Sequence, residues 1–546
     1  MASGADRPAD EEHRGGGPAP SLPIKRTHLL SDGTLIVDEV EAKDLGYFTE
    51  SLKKECGSMP LNEDSLTKLL DFLGNSLITR IPADTRAPYN DTSLYHHLKL
   101  TAALANCAFQ ENQHGRTPES YRFALVSGDA DQISSYVNQS LRLPDLRGRS
   151  SRISRASKAA SAVFQNNLGP ECVLFEGGGG FLALSTPSKA DEYAAMAKDA
   201  FESVTEHRCT MTVSHVNVNG KDLQREFGKV WEQAISSMRE KKLHPMMLQI
   251  SEDLTNLCDV CRREEAVHEG RPLPTVPPRN ELLCESCFKL RSETYGTWVD
   301  TVRDDRGYIG ILRMDGDGVG HLLSGKGFRN LKKFMTPSRL SALSSLIHSI
   351  ILKDATSEVE QAGGAIIYAG GDDLLALVPG REAFQTAINI AKTYSTSMAN
   401  KAGISCGISF VRDKSPIYSA LETSSQLLNR AKTEPPEEDV GAVTFMLAPA
   451  EGAATYQINK QGVYSWKHFE RTMKAVDSIR QGTYARYLRS IITALSNSKL
   501  DDGKAIVKYQ MARDLISWSD GERILEDIEN ETLRVAFSIY NTFMRD

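Results

Sequence analysis

Two stretches far apart in this chain can be laid over one another. VLFEGGGGFLAL, Val173 to Leu184, and IIYAGGDDLLAL, Ile366 to Leu377, share one apolar–glycine–apolar pattern. Each reads as a strand, a tight turn and a second strand. Gly179 and Gly180 stand where the later copy has Asp372 and Asp373. Upstream, FALVSGDADQI sets Asp129 and Asp131 against Asp315 and Asp317 of YIGILRMDGDGVGHLL. Downstream of each hairpin come an amphipathic helix and a strand (CTMTVSHVNV against ISCGISFVRD). A second helix and a short strand (MMLQI against AVTFML) close each copy. Both copies therefore read β-α-β-β-α-β, the ferredoxin-like order. The repeat restricts the fold to an α+β multidomain chain with related halves at about residues 121–250 and 307–448.

The copies differ in their acids, and that difference carries the chemistry. Gly370 and Gly371 permit unusual backbone angles and close approach of a bulky anion. The adjacent carboxylates of Asp372 and Asp373 suit hard divalent cations, although a solvated acidic turn would look the same in isolation. A strand ending in Asp315 beside such a hairpin is how a palm-type nucleotidyl transferase assembles its metal site. The expected ligands of two Mg2+ or Mn2+ ions are Asp315, Asp372 and Asp373, with the carbonyl of Gly316 as a further oxygen. One ion would activate the attacking hydroxyl and the other would hold the triphosphate and leaving group. The run Gly316-Asp317-Gly318-Val319-Gly320 offers backbone amides to phosphate oxygens, as do Gly370 and Gly371. Lys432, which ends YSALETSSQLLNRAK, is either a triphosphate partner or a structural helix-end lysine. In the first copy, the turn around Gly178 and Gly179 has room for a nucleotide but no carboxylates for a metal.

Between the copies lie Cys258-x-x-Cys261, 22 residues, then Cys284-x-x-Cys287. Paired CxxC knuckles at this spacing predict a four-thiolate structural Zn2+ site of the zinc-ribbon kind over 251–306. The intervening REEAVHEGRPLPTVPPRN is too polar to fold by hydrophobic burial. A redox pair is the competing reading, and a catalytic zinc would need an open position that four thiolates do not leave. Nine cysteines used this way fit a reducing compartment, hence the cytoplasm. With 64 basic and 71 acidic residues the net charge is −7, so no global basic field announces nucleic acid. No apolar run approaches a membrane span. Residues 1–24 read as a disordered tail, 25–120 as a mostly helical region after a strand-like GTLIVDEV, and 449–546 as a helical domain. Leu141 to Ala159 holds six basic side chains and one acid, a solvated helix face or a contact for RNA or nucleotide phosphates. His96 and His97 point about 100° apart on a helix and cannot share one ion.

With these features in order, the chain resembles the large, Cas-ten-type subunit of type III CRISPR effector complexes. The resemblance rests on the tandem palms, GGDD in the second only, and the CxxC pair between them. SLYHHLKLTAALA, SPIYSALETSSQLLNRAK and the helical tail also match, covering nearly everything from about residue 60. It implies a cyclase-like polymerase that joins ATP into cyclic oligoadenylates when the complex, with its other subunits and crRNA, binds target RNA. By position, Asp372 and Asp373 are the signature acids and Asp315 the strand acid. Many members begin with an HD nuclease domain; this chain is short there and contains no His-Asp dipeptide, so no DNase activity is expected. Three other readings stay open: a non-catalytic scaffold of the crRNA complex, a GGDEF-like dinucleotide cyclase, and joining of ATP to another small molecule.

Overall fold

The structure, a computed structural model, describes the chain from residue 42 to 544. Within that span it leaves out 58–62, 80, 82, 84–91, 114, 116, 138, 140–142, 244–255, 274–276, 295–301, 327–334, 414–416, 437–439, 448–461, 483–484 and 497–499. The tail at 1–24, the strand-like GTLIVDEV and the short strand MMLQI fall outside the described residues. The described residues form two compact units. One is Met1–Tyr295 with Gly318–Ser349 and Gly370–Asp372; the other is Gly296–Asp317 with Ile350–Ala369 and Asp373–Asp546.

The first unit opens with helices α1 (Ala42–Gly57), α2 (Glu63–Gly74) and α3 (Leu94–Gln110). Ser93 caps α3, its hydroxyl accepting from the His96 amide. Then come β1 (Arg122–Ala130), α4 (Ile133–Val137), α5 (Leu143–Leu168), β2 (Val173–Gly177), β3 (Gly180–Ser185), α6 (Ala190–Val204), β4 (Met211–Asn219), α7 (Gly220–Arg225) and α8 (Phe227–Lys242). The sheet runs β2-β3-β1-β4, with antiparallel pairs throughout. Its apolar face is covered by α5 and α6, where Phe164 lies 5.3 Å from Phe181 and 6.1 Å from Tyr193, centroid to centroid. Next come β5 (His268–Leu273), β6 (Arg279–Leu283) and α9 (Glu285–Thr294), with Cys258 and Cys261 before β5, Cys284 between β6 and α9, and Cys287 on α9. Two later helices, α10 (Val319–Leu323) and α11 (Pro337–Ser349), belong to this unit as well. α11 is held by the Ser341 hydroxyl donating to the Leu174 carbonyl.

The second unit is built on six strands, β7 (Tyr308–Gly316), β8 (Ala365–Gly370), β9 (Asp373–Pro379), β10 (Ile404–Arg412), β11 (Ala442–Met446) and β12 (Val463–Ser465). They run in the order β12-β11-β10-β7-β9-β8. After α12 (Thr356–Gln361), the covering helices are α13 (Ala383–Ser397) and α14 (Ile417–Thr433), and α14 is the crossover joining parallel β10 and β11. A Cβ at Gly407 of β10 would sit 2.3 Å from the Ser424 carbonyl oxygen, so only glycine lets α14 press on the strand backbone. The end of the chain is α15 (Trp466–Gln481), α16 (Ala485–Ser496), α17 (Leu500–Ala512), α18 (Trp518–Glu529) and α19 (Leu533–Ile539). Phe384 gathers the rings of Phe410, Phe445 and Phe469 at 5.2, 5.2 and 5.5 Å, and Phe543 lies tilted 4.4 Å from Phe410. This cluster fastens the terminal helices to the sheet.

Two expectations change on inspection. The helical tail does not start cleanly: β12 pairs with β11 and covers the strand edge that would otherwise stay open. The basic stretch is not a solvated face along its length, since Arg149 and Arg152 of α5 are buried.

Candidate active site

Asp315 is the penultimate residue of β7, and the ladder sets it opposite Asp373 on β9 and Ser405 on β10. Two carboxylates facing each other across neighbouring strands repel. The fold answers with Lys432 at the end of α14, whose ammonium donates to Asp315 Oδ2 and, at 3.3 Å, to the Gly316 carbonyl. Asp317 turns to the other side, accepting from Ser405 Oγ at 2.8 Å while its amide donates to Gly403 O at 2.9 Å. Desolvation raises the carboxyl of Asp317 above its usual range, with the Ser405 hydrogen bond acting against it. Asp373 is raised in the same way, partly offset by Arg313, although the residue keeps an open side to solvent. Desolvation lowers the Lys432 amine.

The first copy keeps most of this constellation. Lys242, at the end of α8, donates to Asp129 Oδ2 at 2.7 Å and to the Ala130 carbonyl at 3.2 Å. Asp131 accepts from Thr212 Oγ1 at 2.9 Å, and Thr212 faces Asp129 just as Ser405 faces Asp315. What differs is the hairpin: Gly180 lies opposite Asp129 where Asp373 lies opposite Asp315. Sequence reasoning missed Lys242, Thr212 and Ser405. The signal for Lys242 was there, since it closes the last helix of its copy as Lys432 does.

The turn residues Gly370, Gly371 and Asp372 group with the first unit. There Gly371 (φ +60) and Gly178 (φ +62) meet backbone to backbone: a Cβ on Gly178 would come 3.2 Å from the Gly371 Cα. At Gly179 a Cβ would strike Ile133 Cδ1 at 2.3 Å. The side-chain directions of Gly178 and Gly179 are thus filled by protein, so the room expected there does not lie above these Cα atoms. Gly318 (φ +68) and Gly320 face open space, with nothing within 4 Å of an added Cβ. Among the described residues, the one group of three or more His, Cys, Asp or Glu with ligand atoms within 4.8 Å of one another is the cysteine quartet.

Cys258, Cys261, Cys284 and Cys287 are all buried. The Sγ atoms of Cys261 and Cys284 are 3.7 Å apart. A tetrahedron with metal–sulfur bonds of about 2.3 Å has edges of about 3.8 Å, so the quartet fits zinc. Hydrogen bonds from the Cys258, Cys284 and Cys287 side chains hold the Cys261 thiol well below its usual range. His96 and His97 offer no such site: His96 is buried, its Nδ1 is 2.8 Å from Ser93 Oγ, and desolvation, then Lys99, pushes its pKa down to about 3.

Residues 308–440 match the family described as Cas10/Cmr2, second palm domain, which places the chain in the class of palm-domain proteins. Among curated relatives, the Cmr subunit Cmr2 of Pyrococcus furiosus is 32% identical over 161 residues, covering 26% of this chain and 18% of its own length. The Cas10/Csm1 single-strand-specific deoxyribonuclease (subtype III-A) of Enterococcus italicus is 23% identical over 79% of this chain and 74% of its own. Among solved structures, a Csm1–Csm4 cassette in complex with cA4 is similar with a TM-score of 0.67 at 16% identity, covering 96% of this chain and 85% of that one. The matched residues are thus similar to the second palm domain of Cas10/Cmr2 proteins, and the fold is similar to that of Csm1.

Proposed function

We propose that this chain joins ATP molecules into cyclic oligoadenylates by two-metal nucleotidyl transfer at the second palm. The observation that carries the reading is the asymmetry of two otherwise matched ferredoxin-like palms. Asp315 faces Asp373 in the second, and Asp129 faces Gly180 in the first. A scaffold has no use for opposed carboxylates that cost electrostatic energy. Mg2+ or Mn2+, bound by Asp315, Asp372, Asp373 and the Gly316 carbonyl, would supply charge neutralisation for the attacking hydroxyl and the leaving phosphate. The chain's own residues do the positioning. Lys432, held on Asp315 and Gly316, stands ready to move to a triphosphate oxygen once a cation takes its place. Asp317, tied to Ser405, keeps the glycine run after β7 in its turn, where Gly318 and Gly320 leave the backbone open to phosphates. Gly370 and Gly371 let the tip of the acid hairpin pass close to the glycine hairpin, near which the acceptor nucleotide would sit.

The partners follow the relatives. Solved Csm1–Csm4 cassettes hold AMPPNP, ATP, cA3 or cA4, and one belongs to the type III-A Csm interference complex. For this chain the reading is a cytoplasmic ribonucleoprotein with a Csm4-like subunit, crRNA and target RNA, and with zinc as a structural ion. No described helix is long and apolar enough to cross a membrane. The second reading, ATP joined to a different acceptor, uses the same acids. Mass analysis of products formed from labelled ATP by the complex with target RNA separates the two. Cyclic adenylates support the first, and an adenylylated small molecule the second.

A further inference from the structure

Arg149 of α5 is 1% exposed, yet among the described residues no carboxylate pairs with it. Its guanidinium donates to the Tyr136 carbonyl at 2.8 Å and to Gln139 Oε1, lies 5.0 Å from the Tyr136 ring centroid, and donates to Cys287 Sγ at 3.7 Å. A buried guanidinium without a counter-charge costs several kcal/mol. The carbonyl, amide and ring are neutral, so the sulfur is the anion in reach. Arg208, from the turn between α6 and β4, does the same from another side. It donates to Cys284 Sγ at 3.4 Å and Cys287 Sγ at 3.6 Å, and also pairs with Glu264 at 2.5 Å. Four thiolates around one Zn2+ leave a charge of −2, which Arg149 and, in a share with Glu264, Arg208 offset. The two modules are fused further at the same place. Arg291 of α9 binds Asp145 of α5 and Glu281 of β6 in a buried triad. At Gly148 an added Cβ would lie 2.9 Å from Leu290, so α5 and α9 touch almost backbone to backbone.

We propose that Arg149 and Arg208 are the counter-ions of the zinc–thiolate cluster, so that metal occupancy fixes helix α5 and, through it, the first palm. The proposal rests on the quartet holding zinc. Without the metal the cluster no longer holds Arg149, and α5, a 26-residue helix over the sheet, bears that cost. The zinc ribbon is then a pin for the first palm and not a separate ornament, with Arg149 and Arg152 turned inward while Arg147, Arg155 and Lys158 stay exposed.

The test uses the full chain, with zinc release to a competing chelator and backbone hydrogen exchange as readouts. In the wild type, zinc removal accelerates exchange across 143–168 by about tenfold or more, leaving α15 in the other unit unchanged. Arg149→Met weakens zinc binding by about 10- to 100-fold, as loss of a ligand's hydrogen-bond partner does, and α5 exchange becomes nearly indifferent to zinc. Should Arg149→Met fail to fold, Arg208→Gln, which leaves Arg149 in place, must still weaken zinc binding. Normal zinc affinity in these variants, or an α5 that ignores zinc removal in the wild type, overturns the counter-ion role while the metal site stands. Purified protein without zinc, and without a thiolate charge-transfer band on adding Co2+, overturns the metal site and the proposal with it.

Discussion

Like charges opposed across a ladder destabilise it, and Asp315 with Asp373 would do so here without the Lys432 ammonium. On the proposed two-metal site, lysine and metal would compete for the Asp315 carboxylate and the Gly316 carbonyl. Lys432→Met should therefore tighten Mn2+ binding, by roughly five- to tenfold, as read from free Mn2+ in electron paramagnetic resonance. The same variant should lose nucleotide joining, because the triphosphate partner is gone. Weaker Mn2+ binding in Lys432→Met would contradict the competition. The acids were legible in the sequence because each ends an apolar strand. The lysine's partner was not, since 117 residues separate it from Asp315 and only the crossover of α14 brings them together. The hydrogen bond between Ser405 and Asp317 was hidden for the same reason.

Elements were legible wherever periodicity was strong and local. The hairpins, α3, α14 and α15 lie where the apolar patterns put them, with ends set by caps such as Ser93 and Ser465. β12 was missed because three residues carry no period, and only pairing with β11 makes them a strand. α5 was only half legible because basic residues at helical spacing look solvated until their partners, Cys287 for Arg149 and Ser286 with Glu206 for Arg152, are known. Two predictions belong at this scale. Phe543→Ala empties a site where rings of α13 and β10 meet, and should cost ~3–5 kcal/mol of second-unit stability in chemical denaturation. Asp527 of α18 has its pKa raised to about 6, by desolvation first and Glu526 second, against a hydrogen bond from Thr532. A carboxyl raised on folding contributes stability that is present below the unfolded pKa near 4 and lost as pH rises through about 6. Asp527→Asn should thus gain in melting temperature relative to the wild type between pH 4 and pH 7. A difference that stays flat over that window would refute the assignment.

At the scale of the whole molecule, the two sheets carry matching lysines and strand acids, and only one sets a hairpin acid opposite its strand acid. Substituting Cys284→Ser should lower the stability of the first unit and release zinc, seen in elemental analysis and calorimetry, because structural zinc binding is coupled to folding. His96 is buried, and desolvation holds it neutral. Incubated with Mn2+ and single-stranded DNA, the purified chain should leave it uncut; cleavage lost on changing His96 and His97 would reverse that expectation. The repeat, the zinc spacing and the acid asymmetry were all visible in the sequence. The proposed charge coupling of zinc ribbon to first palm was not, because Arg149 and Arg208 lie 76 to 138 residues before the cysteines they meet.

The central claim is that the acids of the second palm perform nucleotide joining. The most direct measurement compares the wild type with the Asp372→Ala, Asp373→Ala double variant, each assembled with its RNA and supplied with labelled ATP. Product formation should fall by roughly 100-fold or more, the scale expected when charge stabilisation at the reacting phosphate is removed, with complex assembly and RNA binding unchanged. Product formed by the double variant at the wild-type rate would contradict the account.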